Sequence, residues 1–257
     1  MVIVCIVFPT FLFAQTPKQI EADLLKSFNR IGYWEEKTHD TTATAWAAND
    51  SLNNANDILA MKLKYYAEKF PSMIGYPFAS LKKEYLDIST SSDGLFRIYS
   101  WDTWTGGTMH VFENVMQYRS GKNTKAIIDI PKSEGDIPPT YDKIYTFKTG
   151  GKTYYLTTYL FIESSRYSAY GITAFTIAKD KVIEAKIIKT HSGFHSGLSY
   201  ECDFATVQDR SYDKLPEMHF DNTTNTISLP LMSSKGAFTK KFILYKFTGQ
   251  YFERVKN

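Results

Sequence analysis

The sequence predicts an α+β protein that is mainly β, in which N-terminal helices pack on an antiparallel β meander. Apolar residues recur at helical spacing as far as about residue 70. Beyond residue 90, β-branched and aromatic residues alternate with polar ones, and glycine pairs separate the runs. Aromatic residues form 16% of the 257-residue chain, with 18 Tyr and 18 Phe, which favours cross-strand aromatic pairs.

The composition excludes several classes of protein. With 43% hydrophobic and 22% charged residues, the chain is globular and is neither disordered nor a coiled coil. The net charge is only +3, and its basic residues are scattered among acidic ones, so we expect no nucleic-acid partner. The length suits one domain of ordinary size, with or without a small attachment.

Residues 1–14, MVIVCIVFPTFLFA, contain no charged side chain. The run is long enough for the apolar region of a signal peptide and too short to span a membrane. A buried N-terminal strand is the alternative interpretation. We expect cleavage after Ala14, a mature chain that starts at Gln15 without a membrane span, and export to the periplasm or the exterior.

After that cleavage, Cys202 is the one cysteine of the mature chain, so no internal disulfide is expected. It lies in a strand-like segment between Glu201 and Asp203. Neighbouring acids raise a thiol pKa, so the sequence predicts a buried, unreactive side chain.

The segment 15–90 is predicted to be helical. A first helix over 17–37 begins at Pro17 and carries an apolar stripe of Ile20, Leu24, Phe28 and Ile31. Gly32 is expected to end or loosen it. A loop over 38–50 containing Trp46 leads to a second helix that ends at Phe70, before a proline. A short third helix is expected from Pro77, carrying Leu81 and Tyr85.

The segment 91–257 is predicted to be an antiparallel β domain. Hairpin turns are expected at Gly150-Gly151 and at Lys179-Asp180. The strand that follows Gly150-Gly151, predicted over 152–163, is apolar on both faces, which indicates a central position. A sandwich, an open barrel and a propeller-like stack all fit a meander of these strands, which are predicted over 95–102, 108–119, 142–149, 152–163, 168–178, 181–189, 198–207, 217–220, 226–231, 238–247 and 250–255.

The most unusual run extends from Ser91 to His110 and reads SSDGLFRIYSWDTWTGGTMH. It resembles a motif shared by a family of secreted, β-rich proteins to which no activity is attached. The resemblance covers this run and some flanking sequence. It therefore implies a secreted β-rich protein and implies nothing about function.

The same run supplies the candidate site. Strand alternation places Arg97, Tyr99 and Trp101 on one face, and Asp102 and His110 flank the following turn. One interpretation is a carboxylate that orients an imidazole, or a polar pocket lined by tryptophan. The other is a tight hairpin in which the aspartate caps its own loop. We expect Trp101 to be buried and Trp104 to be partly exposed, because the turn frees the latter from the alternation.

A second candidate is a pair of histidines, His191 and His195, four residues apart. Two histidines at this spacing bind one zinc ion when they lie on a helix, but the glycines and serines around them favour a loop. We therefore treat this pair as a weak candidate for metal binding and as a pair of exposed loop side chains otherwise.

The leading functional hypothesis is a non-catalytic recognition or structural module that binds a carbohydrate or a peptide through Arg97, Trp101 and Trp104. No sequence motif for a nucleophile elbow, a phosphate loop or a dinucleotide fold is present, and no cofactor is expected. The alternative is a hydrolase that uses Asp102 and His110 with Arg97 or Glu113. Convergence of Asp102, His110 and another polar group in one open pocket favours the enzyme.

Overall fold

The computed structural model describes residues 15–40, 45–129, 137–205, 215–233 and 236–255. The expected signal segment lies outside these ranges. The structure is 26% helical and 45% strand, so the mainly β fold class is confirmed. The helices are α1 (Pro17–Thr38), α2 (Ala45–Lys69), a 3-10 turn (Pro71–Gly75) and α3 (Ala79–Lys83).

Helix α1 begins where the sequence places it because Thr16 caps it. The Thr16 hydroxyl accepts the backbone N–H of Gln19, and the Gln19 side chain accepts the backbone N–H of Thr16, which completes a capping box. Pro17 occupies the first turn, where its missing N–H costs nothing. Gly32 neither ends nor loosens the helix, contrary to the prediction. The burial of Ile31 beside it offsets the roughly 1 kcal/mol helix propensity cost of a glycine.

Two other helix boundaries differ from the prediction. Helix α2 begins at Ala45, so Trp46 lies on a helix rather than in a loop, although its side chain is exposed. The third helix begins at Ala79 because Phe78 has a left-handed backbone with φ 48°, and it ends before Tyr85. The segment that carries the exposed Tyr85 ring is therefore a turn between α3 and the first strand.

The described residues form fifteen strands in three sheets rather than the eleven predicted. Sheet A has the order β1-β2-β3-β4; sheet B has β11-β7-β6-β5 with β8 beside β7; sheet C has β10-β9-β15-β14-β13-β12. All pairs are antiparallel except β15 with β9. The bounds are β1 Asp87–Thr90, β2 Phe96–Asp102, β3 Phe112–Ser120, β4 Asn123–Ile128, β5 Thr140–Thr149, β6 Lys152–Ile162, β7 Tyr167–Ala178, β8 Lys181–Glu184, β9 Ile188–Thr190, β10 Gly193–His195, β11 Gly197–Asp203, β12 His219–Asp221, β13 Thr226–Met232, β14 Phe238–Phe247 and β15 Phe252–Arg254.

The three sheets are stacked, with the helices as an outer layer. One core lies between the helices and sheet A and contains Leu24, Leu63 and Trp101. A second, with Phe96 and Tyr155, lies between sheets A and B. A third core lies between sheets B and C. This arrangement is a layered stack, and the described strands form no closed barrel.

The predicted strand over 181–189 divides between two sheets. Its first half is β8 of sheet B, and its end is β9 of sheet C. Ala185 and Ile187 lie between the two halves and are buried in the core that these sheets share. The crossing is invisible in the sequence because both halves carry strand-forming residues.

Strand β1 begins at Asp87, ahead of the boundary expected at residue 91, and it pairs with β2 throughout. The helical segment also shares a core with sheet A. Cys202 is fully buried on β11, and burial, followed by the charge of Asp203, raises the pKa of its thiol. Within the described ranges, no helix combines the length and the apolar character needed to cross a membrane.

Candidate functional site

The turn between β2 and β3 is held by the residues that the sequence singles out. Asp102 Oδ1 accepts the backbone N–H of Trp104 at 2.9 Å, and Asp102 Oδ2 contacts Nδ1 of His110. The backbone N–H of His110 donates to the carbonyl of Ile162 at 3.0 Å, which ties the turn to sheet B. Asp102 and His110, which flank the turn in the sequence, therefore meet across the hairpin. The contact leaves Nε2 of the imidazole for a ligand or a water molecule.

The two tryptophans of the hairpin have opposite environments, as predicted. Trp101 is 1% exposed and Trp104 is 52% exposed. The Trp101 indole N–H donates to Asn56 Oδ1 at 2.9 Å, and Asn56 Nδ2 donates to the carbonyl of Thr103 at 2.9 Å. Helix α2 therefore fixes the start of the turn through one buried amide.

Trp104 occupies a left-handed backbone conformation with φ 58°. That region is uncommon for a bulky side chain and costs about 1–3 kcal/mol. Asp102 offsets part of this cost through its bond to the Trp104 N–H. The conformation turns the indole away from both strands, and its ring centroid lies 6.2 Å from that of His110, which in turn stacks on Phe112.

These rings line an open cleft of about 700 Å³ between the end of α1, the α3–β1 turn and the edges of sheets A and B. Asp102, Trp104 and His110 form one wall. Glu84 and Asp87 add two acidic residues to the lining, and the remaining lining residues are Phe28, Asn29, Ile31, Gly32, Tyr85, Phe112, Thr140, Leu160 and Ile162.

Asp87 has the most perturbed carboxyl of this cleft. Desolvation raises its pKa, and the nearby charge of Asp142 adds to that rise, whereas the hydrogen bond from Thr140 opposes it. The Thr140 hydroxyl donates to Asp87 Oδ2 at 3.1 Å. A cation or a hydrogen-bond donor that binds beside such a carboxyl stabilises its ionised form.

Arg97 and Trp101 do not reach the cleft. Both face the helices across sheet A, and Arg97 is 4% exposed. Its guanidinium donates to backbone carbonyls of the 3-10 segment rather than to an accessible site. Of the three side chains predicted to bind ligand, the structure thus places Trp104 alone in the cleft.

Glu113 also faces the helices, because it pairs in register with Trp101. Its Oε2 is buried and has no hydrogen-bond partner among the described residues. Burial, with a smaller contribution from Asp57, raises the pKa of Glu113 to about 7. Sheet A therefore separates Glu113 and Arg97 from Asp102 and His110, and Asp87 and Thr140 are the polar groups that join the pair in the cleft.

The raised pKa of Glu113 predicts a pH-dependent stability. The folded state binds the Glu113 proton more tightly than the unfolded chain does. The contribution of this proton to the free energy of unfolding is therefore fully present below pH 4.5 and is lost as the pH rises through about 7. We expect Glu113→Gln to be more stable than wild type at pH 8 by about 1–2 kcal/mol, after discounting for solvent screening, and to differ little at pH 5. Urea unfolding at the two pH values measures this, with the exposed Glu36→Gln as the control. Equal effects of both variants would contradict it.

The histidine pair lies on the short β9–β10 hairpin of sheet C. His191 is exposed in the turn, and His195 Nε2 lies 2.8 Å from the hydroxyl of Ser192. Over the described ranges, no three His, Cys, Asp or Glu side chains are arranged to hold a metal ion. Within the part of the chain that the structure describes, His191 and His195 have no third ligand side chain beside them.

Sequence reasoning missed four lining residues of the cleft: Glu84, Tyr85, Asp87 and Thr140. Glu84, Tyr85 and Asp87 follow α3 and carry no motif, and Thr140 lies more than fifty residues further along the chain. Only the packing of β1 beside β5 brings Asp87 and Thr140 together. Comparison with family models, curated proteins and solved structures finds no match for this chain.

Proposed function

We propose that the protein is an exported, non-catalytic recognition module that binds its ligand in the cleft, with the Trp104 ring as the main contact surface. The half-exposed indole of Trp104, held in a strained backbone conformation by Asp102, carries this proposal. Strained residues persist where the surrounding structure fixes them, and they cluster at ligand-binding positions. A rigid indole offers a large contact area to a sugar ring or a peptide side chain at a small entropy cost.

The chemistry of the lining supports binding more than catalysis. Among the described residues, the cleft lining contains no serine or cysteine, and its hydroxyls belong to Tyr85 and Thr140. Both oxygens of Asp102 are engaged in holding the turn. The pair of Asp102 and His110 therefore has a structural task that requires no substrate.

A hydrolase is the second candidate, favoured by the convergence of Asp102, His110 and Asp87 in one open cleft. Because no serine or cysteine is found among the described lining residues, His110 would act as a general base toward a water molecule, and Asp102 would orient the imidazole. A screen with chromogenic esters, glycosides and peptides tests this. Turnover that disappears in both Asp102→Asn and His110→Gln would favour the enzyme over the recognition module.

Trp104→Ala tests the recognition module. We expect its affinity for a ligand found on carbohydrate and peptide arrays to fall by about tenfold or more, as for a central aromatic contact. The melting temperature should stay within about 2 °C, because an exposed side chain contributes little to stability. Titration calorimetry and thermal unfolding measure the two quantities.

Trp46→Ala is the matched control, since Trp46 is 84% exposed on α2 and does not line the cleft. It should leave both affinity and melting temperature unchanged. If Trp104→Ala binds as tightly as Trp46→Ala, the cleft is not the recognition site. A Trp104→Ala protein that fails to fold would instead assign the ring to the core.

A further inference from the structure

The cleft continues beyond Asp87 into a second cavity of about 250 Å³. Asp87, Thr140 and Leu160 line both cavities, so the two spaces adjoin along the seam between β1 and β5. The second cavity ends against Tyr200 on β11 and the segment around Pro216. The space available to a ligand is therefore elongated, from the Trp104 ring to the Tyr200 ring.

Aromatic rings line both parts. Tyr85, Trp104 and Phe112 line the first cavity, and Tyr159, Tyr170 and Tyr200 line the second. The rings of Tyr170 and Tyr200 are stacked, with centroids 5.4 Å apart and an interplanar angle of 14°. The Tyr200 hydroxyl donates to the carbonyl of Pro216 at 3.0 Å, which fixes this end wall. The walls are thus built before any ligand binds.

The charge of the lining contrasts with that of the whole chain. The chain has 30 Lys and Arg and a net charge of +3, yet no lysine or arginine lines either cavity among the residues that the structure describes. Five carboxylates do: Glu84, Asp87, Asp102, Asp142 and Glu217.

Of these five, Glu217 forms an ion pair with Lys143, and Asp102 contacts His110. No lysine or arginine in the described part of the chain forms an ion pair with Glu84, Asp87 or Asp142. Lys82 acts electrostatically on Asp87, and Lys143 and Asp142 attract each other, but five carboxylates outnumber these two lysines. The lining therefore keeps a net negative charge.

We infer that the ligand is an extended peptide segment with lysine or arginine side chains, which lies across Asp87 with one end on Trp104 and the other toward Tyr200. This inference rests on the proposed function. Aromatic faces attract cations through their π-electrons, and carboxylates beside them add direct charge pairs. The elongated cleft has aromatic rings and carboxylates at each end. It therefore fits a peptide in which basic side chains alternate with small ones.

The probes are a peptide of four Lys-Ala repeats, a shorter Lys-Ala-Lys peptide, a peptide of four Glu-Ala repeats and a neutral glucan hexamer. Calorimetry on the full chain measures their affinities at low and high salt. We expect the long basic peptide to bind about tenfold more tightly than the short one because it reaches both cavities. We expect the acidic peptide and the glucan to show no binding, and high salt to weaken the basic peptides.

Asp142→Asn tests the second cavity, because Asp142 lines that cavity and does not line the first. The amide retains an acceptor oxygen for the Thr158 hydroxyl that contacts Asp142, and it removes one negative charge. It should weaken the long peptide about fivefold and leave the short peptide unchanged, as expected for one charge pair near the surface. The exposed Glu201→Gln, which removes an acid outside both cavities, is the control and should change neither.

The outcomes separate this inference from the proposal on which it rests. If the glucan binds, the basic peptides do not, and Trp104→Ala abolishes the binding, the peptide inference fails and the recognition site stands. If the long peptide binds wild type and Trp104→Ala equally tightly, both the peptide inference and the proposed recognition site fail. Absence of binding by the basic peptides, or an equal loss in Asp142→Asn and Glu201→Gln, overturns the inference.

Discussion

Leu63→Asp is expected to unfold most of the protein rather than the helices alone. Leu63 is 0% exposed on α2, within the core that Ile20 and Leu24 of α1 share with Tyr99 and Trp101 of sheet A. Loss of a buried leucine costs about 2–5 kcal/mol, and a buried unpaired carboxylate adds to that cost. The sum approaches the roughly 5–15 kcal/mol total stability of a typical domain.

Met61→Asp provides the matched control, because Met61 lies two residues earlier on the same helix and is 57% exposed. Its effect should stay within about 0.5 kcal/mol. Urea unfolding followed by circular dichroism and by tryptophan fluorescence measures both variants. If Leu63→Asp loses helical signal while the sheet signal persists to the wild-type midpoint, the helices are a separate appendage and the prediction is wrong.

Local features of this chain were predictable because local chemistry fixes them. The Gly150-Gly151 and Lys179-Asp180 turns form with positive φ at all four residues, as the tight hairpins require. The alternation along β2 also holds, since Tyr99 and Trp101 face the helices while Phe96 and Ile98 face sheet B. Period and turn type depend on neighbours in the chain, so the sequence carries them.

The features that the sequence could not supply depend on distant partners. Sheet membership changes between β8 and β9 because the chain crosses a core, and both strands have similar compositions. Asp87 and Thr140 line the cleft together because they meet across the seam between sheets A and B. Asn56 holds the Trp hairpin from a helix that precedes it by more than forty residues.

Arg97 shows how one strand pattern fits two different roles. Alternation placed it beside Trp101, which made it a candidate for ligand binding, but the same face is covered by helices. Its Nη1 donates to the carbonyls of Met73 and Tyr76 at 2.7 and 2.6 Å, and its Nε donates to Thr90 at 2.7 Å. The guanidinium therefore joins the 3-10 segment to sheet A.

Arg97→Met is expected to destabilise the protein by about 2–4 kcal/mol, because the Tyr76 carbonyl and the Thr90 hydroxyl lose this donor and each buried unsatisfied group costs about 1–3 kcal/mol. The Met73 carbonyl keeps the N–H of Tyr76. The rings of Phe78 and Tyr99, each 5.7 Å from the guanidinium carbon, lose a cation as well. Arg97→Lys should recover only part of the loss, since one ammonium does not reproduce the planar fork. Urea unfolding measures both variants.

The exposed Arg254→Met controls for the loss of one positive charge and should change the unfolding free energy by about 0.5 kcal/mol or less. The two roles of Arg97 predict opposite results. A ligand contact predicts wild-type stability with lost binding, whereas a structural clamp predicts lost stability, with the remaining folded fraction still able to bind. An Arg97→Met protein that unfolds at the same urea concentration as Arg254→Met would return Arg97 to the candidates for ligand binding. It would also remove the contact that we hold responsible for fixing the 3-10 segment on sheet A.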